Sequence, residues 1–175
     1  MIRAAVVADA RAIADIHVRC WQHAYRGLLP ADHLDALSSE QRAGRWRALL
    51  GSGAPTWVYT RDGAIAGFVS AGPARGEPEG VGEVYAIYLE PAMIGLGLGR
   101  ALMTHAVGQL RASGFEQAIL WVLESNALGR RFYEAAGWRA DGAAKDERIG
   151  GAEVREVRYR TSLSGDGGAA MSRSG

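Results

Sequence analysis

Residues 90–103 read EPAMIGLGLGRALM. Gly95, Gly97 and Gly99 alternate with leucines, and a helical pattern follows at once over 100–113, stopped by Gly114. Glycine accepts backbone angles closed to other residues and lets a ligand approach the chain. A helix that starts there points its free N–H groups and the positive end of its dipole at the loop. Together these make a phosphate site, and three glycines in five residues point to a ligand rather than to a bare turn. Two familiar phosphate motifs fit poorly. A Walker loop ends Gly-Lys-Ser/Thr, whereas Gly99 is followed by Arg100-Ala101. A dinucleotide fingerprint needs a third small residue where Leu102 stands, and it usually opens a domain, whereas about ninety residues precede this loop. Glu124, at the end of the next strand, is the one feature in its favour.

Outward from the loop, VGEVYAIYLEP (81–91) reads as a strand ended by Pro91. Strict alternation would put Glu83, Tyr85, Ile87 and Leu89 on one face, unless a bulge intervenes. Downstream, QAILWVL (117–123) reads as a buried strand, NALGRRFYEAAG (126–137) as a short helix closed by Gly137, and EVREVRYRTSL (153–163) as the final strand. Upstream, TWVYTRDGAIAGFVSAG (56–72) is a hairpin about Asp62-Gly63, and PARGEPEG (73–80) is a loop. IRAAVV (2–7) reads as a strand and Asp9 as a helix cap. Ile13, Ile16, Cys20, Trp21, Ala24 and Tyr25 then follow at helical steps to Gly27. Two more helices are expected, over 30–38 and after Ser38 or Ser39, the latter with Trp46, Leu49 and Leu50 on one face. His17, His33 and His105 are expected on helix surfaces.

This mixture predicts an α/β (α+β) domain over 1–163, with a small, polar, flexible tail over 164–175. A net charge of +1 calls for no polyelectrolyte partner, so nucleic acid is not expected. Cys20 is the only cysteine, which excludes an internal disulfide and suits a reducing, cytoplasmic setting. No stretch has the length and apolarity of a membrane span, no secretory leader is seen, and no ligand-like spacing suggests a metal.

YAIYLEPAMIGLGLGRALM and ESNALGRRFYEAAGW together resemble the acyl-coenzyme A core of the Gcn5-related N-acetyltransferase (GNAT) superfamily. IADIHVRCWQHAYRGLLP resembles the first helices of a bacterial branch of it. The resemblance implies a mostly antiparallel mixed sheet, flanked by helices and splayed at the coenzyme strand. It implies acetyl transfer from acetyl-CoA to an amine by direct attack, with no metal. The acceptor it suggests is a small molecule such as a polyamine, amino acid or amino-bearing toxin. A peptide or protein N-terminus and a non-catalytic coenzyme sensor are the alternatives.

By the same resemblance, the Ile87 N–H would polarise the thioester, and Leu89 and Asn126 would hold the pantetheine arm, Asn126 also capping its helix. Gly95, Gly97, Leu98, Gly99 and Arg100 would hold the pyrophosphate. The family's usual Arg/Gln falls on Ile94, and Leu96 replaces another residue that is often basic, so backbone donors and Arg100 carry the charge. Glu83, eleven residues before Ile94, would take the amine's proton, and Tyr133 would protonate the departing thiolate. Trp21, Tyr25 and Tyr85 would line the acceptor pocket. Relatives are often dimers, and the final strand offers an edge for a homodimer.

Overall fold

In the computed structural model, which describes residues 1–164, the alternating stretches make one seven-stranded sheet. Its strands are β1 (Ile2–Ala4), β2 (Thr56–Arg61), β3 (Ala64–Pro73), β4 (Val81–Leu89), β5 (Gln117–Leu123), β6 (Arg139–Ile149) and β7 (Ala152–Ser162). The helices are α1 (Ala10–Ala24), α2 (Ala31–Asp35), α3 (Ser39–Gly51), α4 (Leu98–Ala112) and α5 (Ala127–Ala135). The strands lie in the order β1-β2-β3-β4-β5-β7-β6, antiparallel except at β4/β5. This is the mixed, mostly antiparallel sheet the sequence suggested. All of the expected tail except Ser164 lies outside the described residues.

Apolar side chains fill both faces. On one, Val69, Ala71 and Val84 meet Leu102, Met103, Ala106 and Leu110 of α4, with Trp138 and Tyr159. On the other, Ile13 and Ile16 of α1 and Ala43 and Trp46 of α3 pack on Val58 and Phe68. The Asp62-Gly63 turn joins β2 to β3 as expected, and the Ser38 hydroxyl caps α3 by accepting from the Gln41 N–H (3.2 Å).

Several local expectations are corrected. β1 stops at Ala4, and Val7–Asp9 forms a 3-10 turn. Asp9 does not cap α1. Its carboxylate accepts from the Val6 N–H (2.8 Å) and from Arg3 Nη1 and Nη2 (2.7 and 2.9 Å), and Arg3 holds its titration below the usual carboxylate range. Leu49 faces water although Trp46 on the same helix is buried. β6 was not foreseen, because Gly142 and a register shift between Ala140 and Ala144 break its alternation. The final strand β7 is interior, between β5 and β6, so the edge strands are β6 and, at the far end, β1.

His17 is not a surface residue. Its ring stacks on Tyr88 (4.7 Å between centroids) and lies near Trp46 and Phe68. Trp46 Nε1 donates to Nδ1 (3.3 Å), and Arg42 Nη1 stands 3.2 Å from Nε2. Both neighbours can only donate, so an imidazolium would find no acceptor on either side. Burial, aided by the Arg42 charge, lowers its titration from 6.5 to about 3. His33 sits under Gly150 at the β6–β7 tip, and His105 meets Trp57 edge-on (5.3 Å).

Folding therefore keeps His17 neutral, and the unfolded chain takes up the proton first. Stability is full above pH 6.5 and falls as the pH drops toward 3. Urea unfolding should show the midpoint falling between pH 7.5 and pH 5, with a shallower fall in His17→Leu. Equal slopes in the two proteins would remove His17 as the cause.

Candidate active site

The site begins with a break in a strand. Along β4, Ala71 of β3 pairs with Val84 but Ser70 pairs with Ala86, so Tyr85 is an extra, bulged residue. The bulge resets the alternation. Glu83 and Tyr85 stay on one face with Tyr88, whereas Ile87 and Leu89 move to the α4 side with Val84. Of the four residues expected on one face, the last two are thus on the other.

β4 then leaves its neighbour. The parallel pairing with β5 runs only from Val81 to Glu83, against Gln117 to Ile119. Beyond it the two strands part, and alternate backbone groups of residues 84–89 face the gap. Two spaces occupy that gap. One, of about 250 Å³, is lined by Trp21, Tyr25, Glu83, Tyr85 and Trp121 among others. The second, of about 240 Å³, runs past Leu89, Ile94, Gly99 and Leu128. They share Tyr25, Ile87, Tyr88, Asn126 and Tyr133, and these residues form their junction.

The glycine loop closes the second space. Gly97 takes the left-handed region (φ 81°) as the residue before α4, and Gly95 does likewise (φ 86°), so each turns the chain where a side chain would strain it. Gly99 serves another purpose. A Cβ there would stand 3.3 Å from Leu89 Cδ1 and from Phe132 Cε2, so its absence lets α4 close on β4 and α5. α4 starts at Leu98, two residues earlier than expected, which brings its first N–H groups into the loop. Ile94 and Leu96 are exposed, as is Arg100. On α5, Asn126 Oδ1 accepts from the Gly129 N–H (3.0 Å), the expected cap.

Glu83 is buried, and its carboxylate is already engaged. Oε2 accepts from the Arg75 backbone N–H (3.0 Å) and Nε (3.3 Å), and Oε1 from Arg75 Nη2 (2.7 Å). A carboxylate offers about four acceptor positions, so one on Oε1 remains. At the junction, burial pushes the Tyr133 hydroxyl well above its ordinary range and Tyr88 to about 12. Burial also raises Tyr25 and the Cys20 thiol. These groups keep their protons at neutral pH.

The structure thus gathers Trp21, Tyr25, Glu83, Tyr85, Ile87, Asn126 and Tyr133 around one cavity, and Leu89 and Gly99 along the adjoining groove. Sequence reasoning missed Arg75, Tyr88, Trp121, Lys145 and Glu156, which also line the cavity. Arg75 lay in a loop read by composition alone, and Lys145 lay in the unforeseen β6. That loop is tied down by charge. Glu77 and Asp141 form a cluster with Arg158 and Arg160, at 2.7 Å for Arg158–Asp141, 3.1 Å for Arg160–Asp141 and 3.2 Å for Arg160–Glu77. Among the described residues no His/Cys/Asp/Glu group could hold a metal ion, and no helix is long and apolar enough to cross a membrane.

Residues 10–138 match a family model described as "Acetyltransferase (GNAT) family". The uncharacterised N-acetyltransferase YuaI of Bacillus subtilis (strain 168) is 34% identical over 158 residues, which is 89% of each chain. A mycothiol acetyltransferase of Thermobispora bispora is 39% identical over 92 residues, covering 49% of this chain and only 31% of that protein. Among solved structures, a phosphinothricin acetyltransferase of Sinorhizobium meliloti in complex with acetyl-CoA aligns with a TM-score of 0.73 at 25% identity, covering 94% of this chain and 88% of that one.

Gly97→Ala should impose roughly 1–2 kcal/mol of left-handed strain at the mouth of α4. Calorimetry should then show coenzyme A binding weakened about tenfold. Unchanged binding would mean that the loop conformation is immaterial to the ligand.

Proposed function

The chain belongs to the acetyltransferase (GNAT) family and is an acetyl-CoA-dependent N-acetyltransferase, and from that premise we propose that its acceptor is the primary amine of a small molecule, attacked directly. The observation that carries this is the meeting of two spaces at the strand gap. The one lined by Glu83 and Tyr85 is near the small end of ligand pockets, which run from about 300 to 1,000 Å³, and suits a metabolite. The other suits the pantetheine arm.

Backbone N–H groups over 95–100, with Arg100 beside them, take the pyrophosphate. Exposed Ile94 and Leu96 bring no charge, so the helix terminus supplies the field. Leu89 bonds the pantetheine amides in the manner of an added strand. Asn126 spends its Oδ1 on the cap and has its amide N–H₂ left for a pantetheine carbonyl.

The neutral amine attacks the thioester carbonyl carbon, and the oxygen that gains charge accepts from the Ile87 N–H. The tetrahedral adduct then breaks its C–S bond. Tyr133, protonated beforehand because burial raises its titration, gives its proton to the thiolate as the C–S bond breaks, and the surplus proton of the attacking nitrogen passes back to the tyrosine oxygen. The incoming ammonium, with a pKa near 10, must first lose a proton. Glu83 accepts it through water at the free position on Oε1. Trp21, Tyr25 and Tyr85 wall the acceptor. Cys20, held as a thiol by burial, is a poor nucleophile, which favours direct transfer over an acyl-enzyme. A chain whose one cysteine has no partner suits the cytoplasm.

Release of free thiol from acetyl-CoA should accelerate with small amines, and a protein that binds acetyl-CoA but stays silent with every small amine would refute the small-molecule reading. Tyr133→Phe should lower kcat about a hundredfold with coenzyme affinity unchanged. Intact turnover would assign the proton to water instead. Glu83→Gln should lower kcat/KM mainly below about pH 8, the deficit shrinking as free amine becomes abundant. A parallel pH profile would remove Glu83 from the proton path.

A further inference from the structure

The acceptor cavity has four charged residues on its wall, and their exposure is uneven. Glu83 is 3% exposed at its side chain, behind an Arg75 that is 74% exposed. Glu156 is 22% exposed and holds Lys145 at 3.1 Å, whose side chain is 40% exposed. The acids are turned inward and capped by the bases. Among the four residues of this wall the bases are therefore the more exposed pair, and Glu147 beside Lys145 is the nearest exposed acid.

Both cations are also held in place. Arg75 stands over the Tyr85 ring (4.9 Å), and Lys145 over the Trp121 ring (4.5 Å). Glu83 takes Nε and Nη2 of Arg75, which leaves the Nη1 edge of a planar guanidinium free and pre-oriented. Such an edge matches a carboxylate or phosphoryl group. Lys145 adds a compact charge that Glu156 (3.1 Å) and, at longer range, Glu147 (3.8 Å) flank, and an ammonium's three N–H bonds leave one for a ligand. Glu83 keeps one acceptor position on Oε1, where the relaying water can meet an ammonium. A positive and a negative receptor adjoin one another on the same wall.

We propose that the acceptor is zwitterionic: it carries an anionic group, which Arg75 and Lys145 hold, as well as the amine that is acetylated. This deepens the acetyl-transfer reading above and rests on it. Arg75 and Lys145 are then specificity residues. They hold the part of the acceptor that does not react, and so orient the part that does. A polycation such as a polyamine meets two exposed cations at this wall and is disfavoured.

The test uses amines matched in pairs that differ by one carboxylate: phenylalanine with phenethylamine, 4-aminobutyrate with propylamine, and 6-aminohexanoate with pentylamine, with spermidine as the polycation. Thiol release gives kcat/KM for each. The carboxylate-bearing member of at least one pair should lead by tenfold or more, with spermidine behind it. Lys145→Met should shrink that ratio mainly through KM. Arg75→Met leaves Glu83 buried without its partner, so Arg75→Met/Glu83→Gln removes both charges together. The ratio within each variant cancels any general loss of rate and should fall toward one. Plain amines equal or better in every pair, or a ratio that persists in both variants, would overturn the proposal.

Calorimetry of the same pairs on the coenzyme A-loaded protein reads the anion site without turnover. Binding that prefers the carboxylate, with no thiol released, would refute the small-amine transfer reading and leave the anion site standing. Thiol release with no carboxylate preference in binding or rate would do the reverse.

Discussion

β4 and β5 hold each other for three residues and then part, and every other feature of the site depends on that parting. A parallel pair that stayed zipped would bury the edge of residues 84–89 in the sheet. Left open, that edge offers main-chain donors and acceptors in a fixed row. Such groups cost about 1–3 kcal/mol each when buried without partners, so the gap has to be filled by water or by a ligand with amides of its own. The flanking elements keep it open. Phe132 and Tyr133 of α5 pack beneath, Trp21 and Tyr25 lie at the end of α1, and Leu123 joins Leu29 and Leu34 behind the cavity. Arg19 of α1 pairs with Glu90, which anchors the chain just before it enters the glycine loop.

The bulge at Tyr85 is the second half of the same device. By turning Ile87 and Leu89 toward α4, it packs their side chains in the core and leaves their backbone at the gap. It also keeps Glu83 and Tyr85 on the face away from α4. One inserted residue therefore puts Glu83 and Tyr85 on one face of the strand and Ile87 and Leu89 on the other. Gly99 completes the arrangement, since a Cβ there would stand 3.3 Å from Leu89 and Phe132 and force these side chains to give way.

Much of this was legible in the chain. The glycine loop, the hairpin at Asp62-Gly63 and the Asn126 cap each rest on local chemistry that the sequence states outright: a left-handed turn, a favoured dipeptide, an amide before a helix. The splayed strand was expected only through the family resemblance. What was missed depends on partners far apart in sequence. The bulge is set by the register of β3, which no local pattern in β4 records. Arg75 matters because Glu83 lies behind it, and Lys145 because β7 brings Glu156 to it. His17 has the sequence context of an exposed helical residue, and only the convergence of Trp46, Arg42 and Tyr88 buries it. β6 escaped notice because its register shift and its charged residues erase the period of two.

The loop between β3 and β4 brings Arg75 to the cavity wall, yet none of its residues belongs to an apolar cluster. It is fastened by Glu77 to Arg158 and Arg160, which Asp141 also holds. Attractions of this kind weaken as dissolved ions gather around them, over a Debye length of about 8 Å at physiological ionic strength. With only 17–26% of the Arg158, Arg160 and Glu77 side chains exposed, such screening reaches this cluster less than it would a surface pair, and the loop keeps its fastening in brine that would part an exposed one.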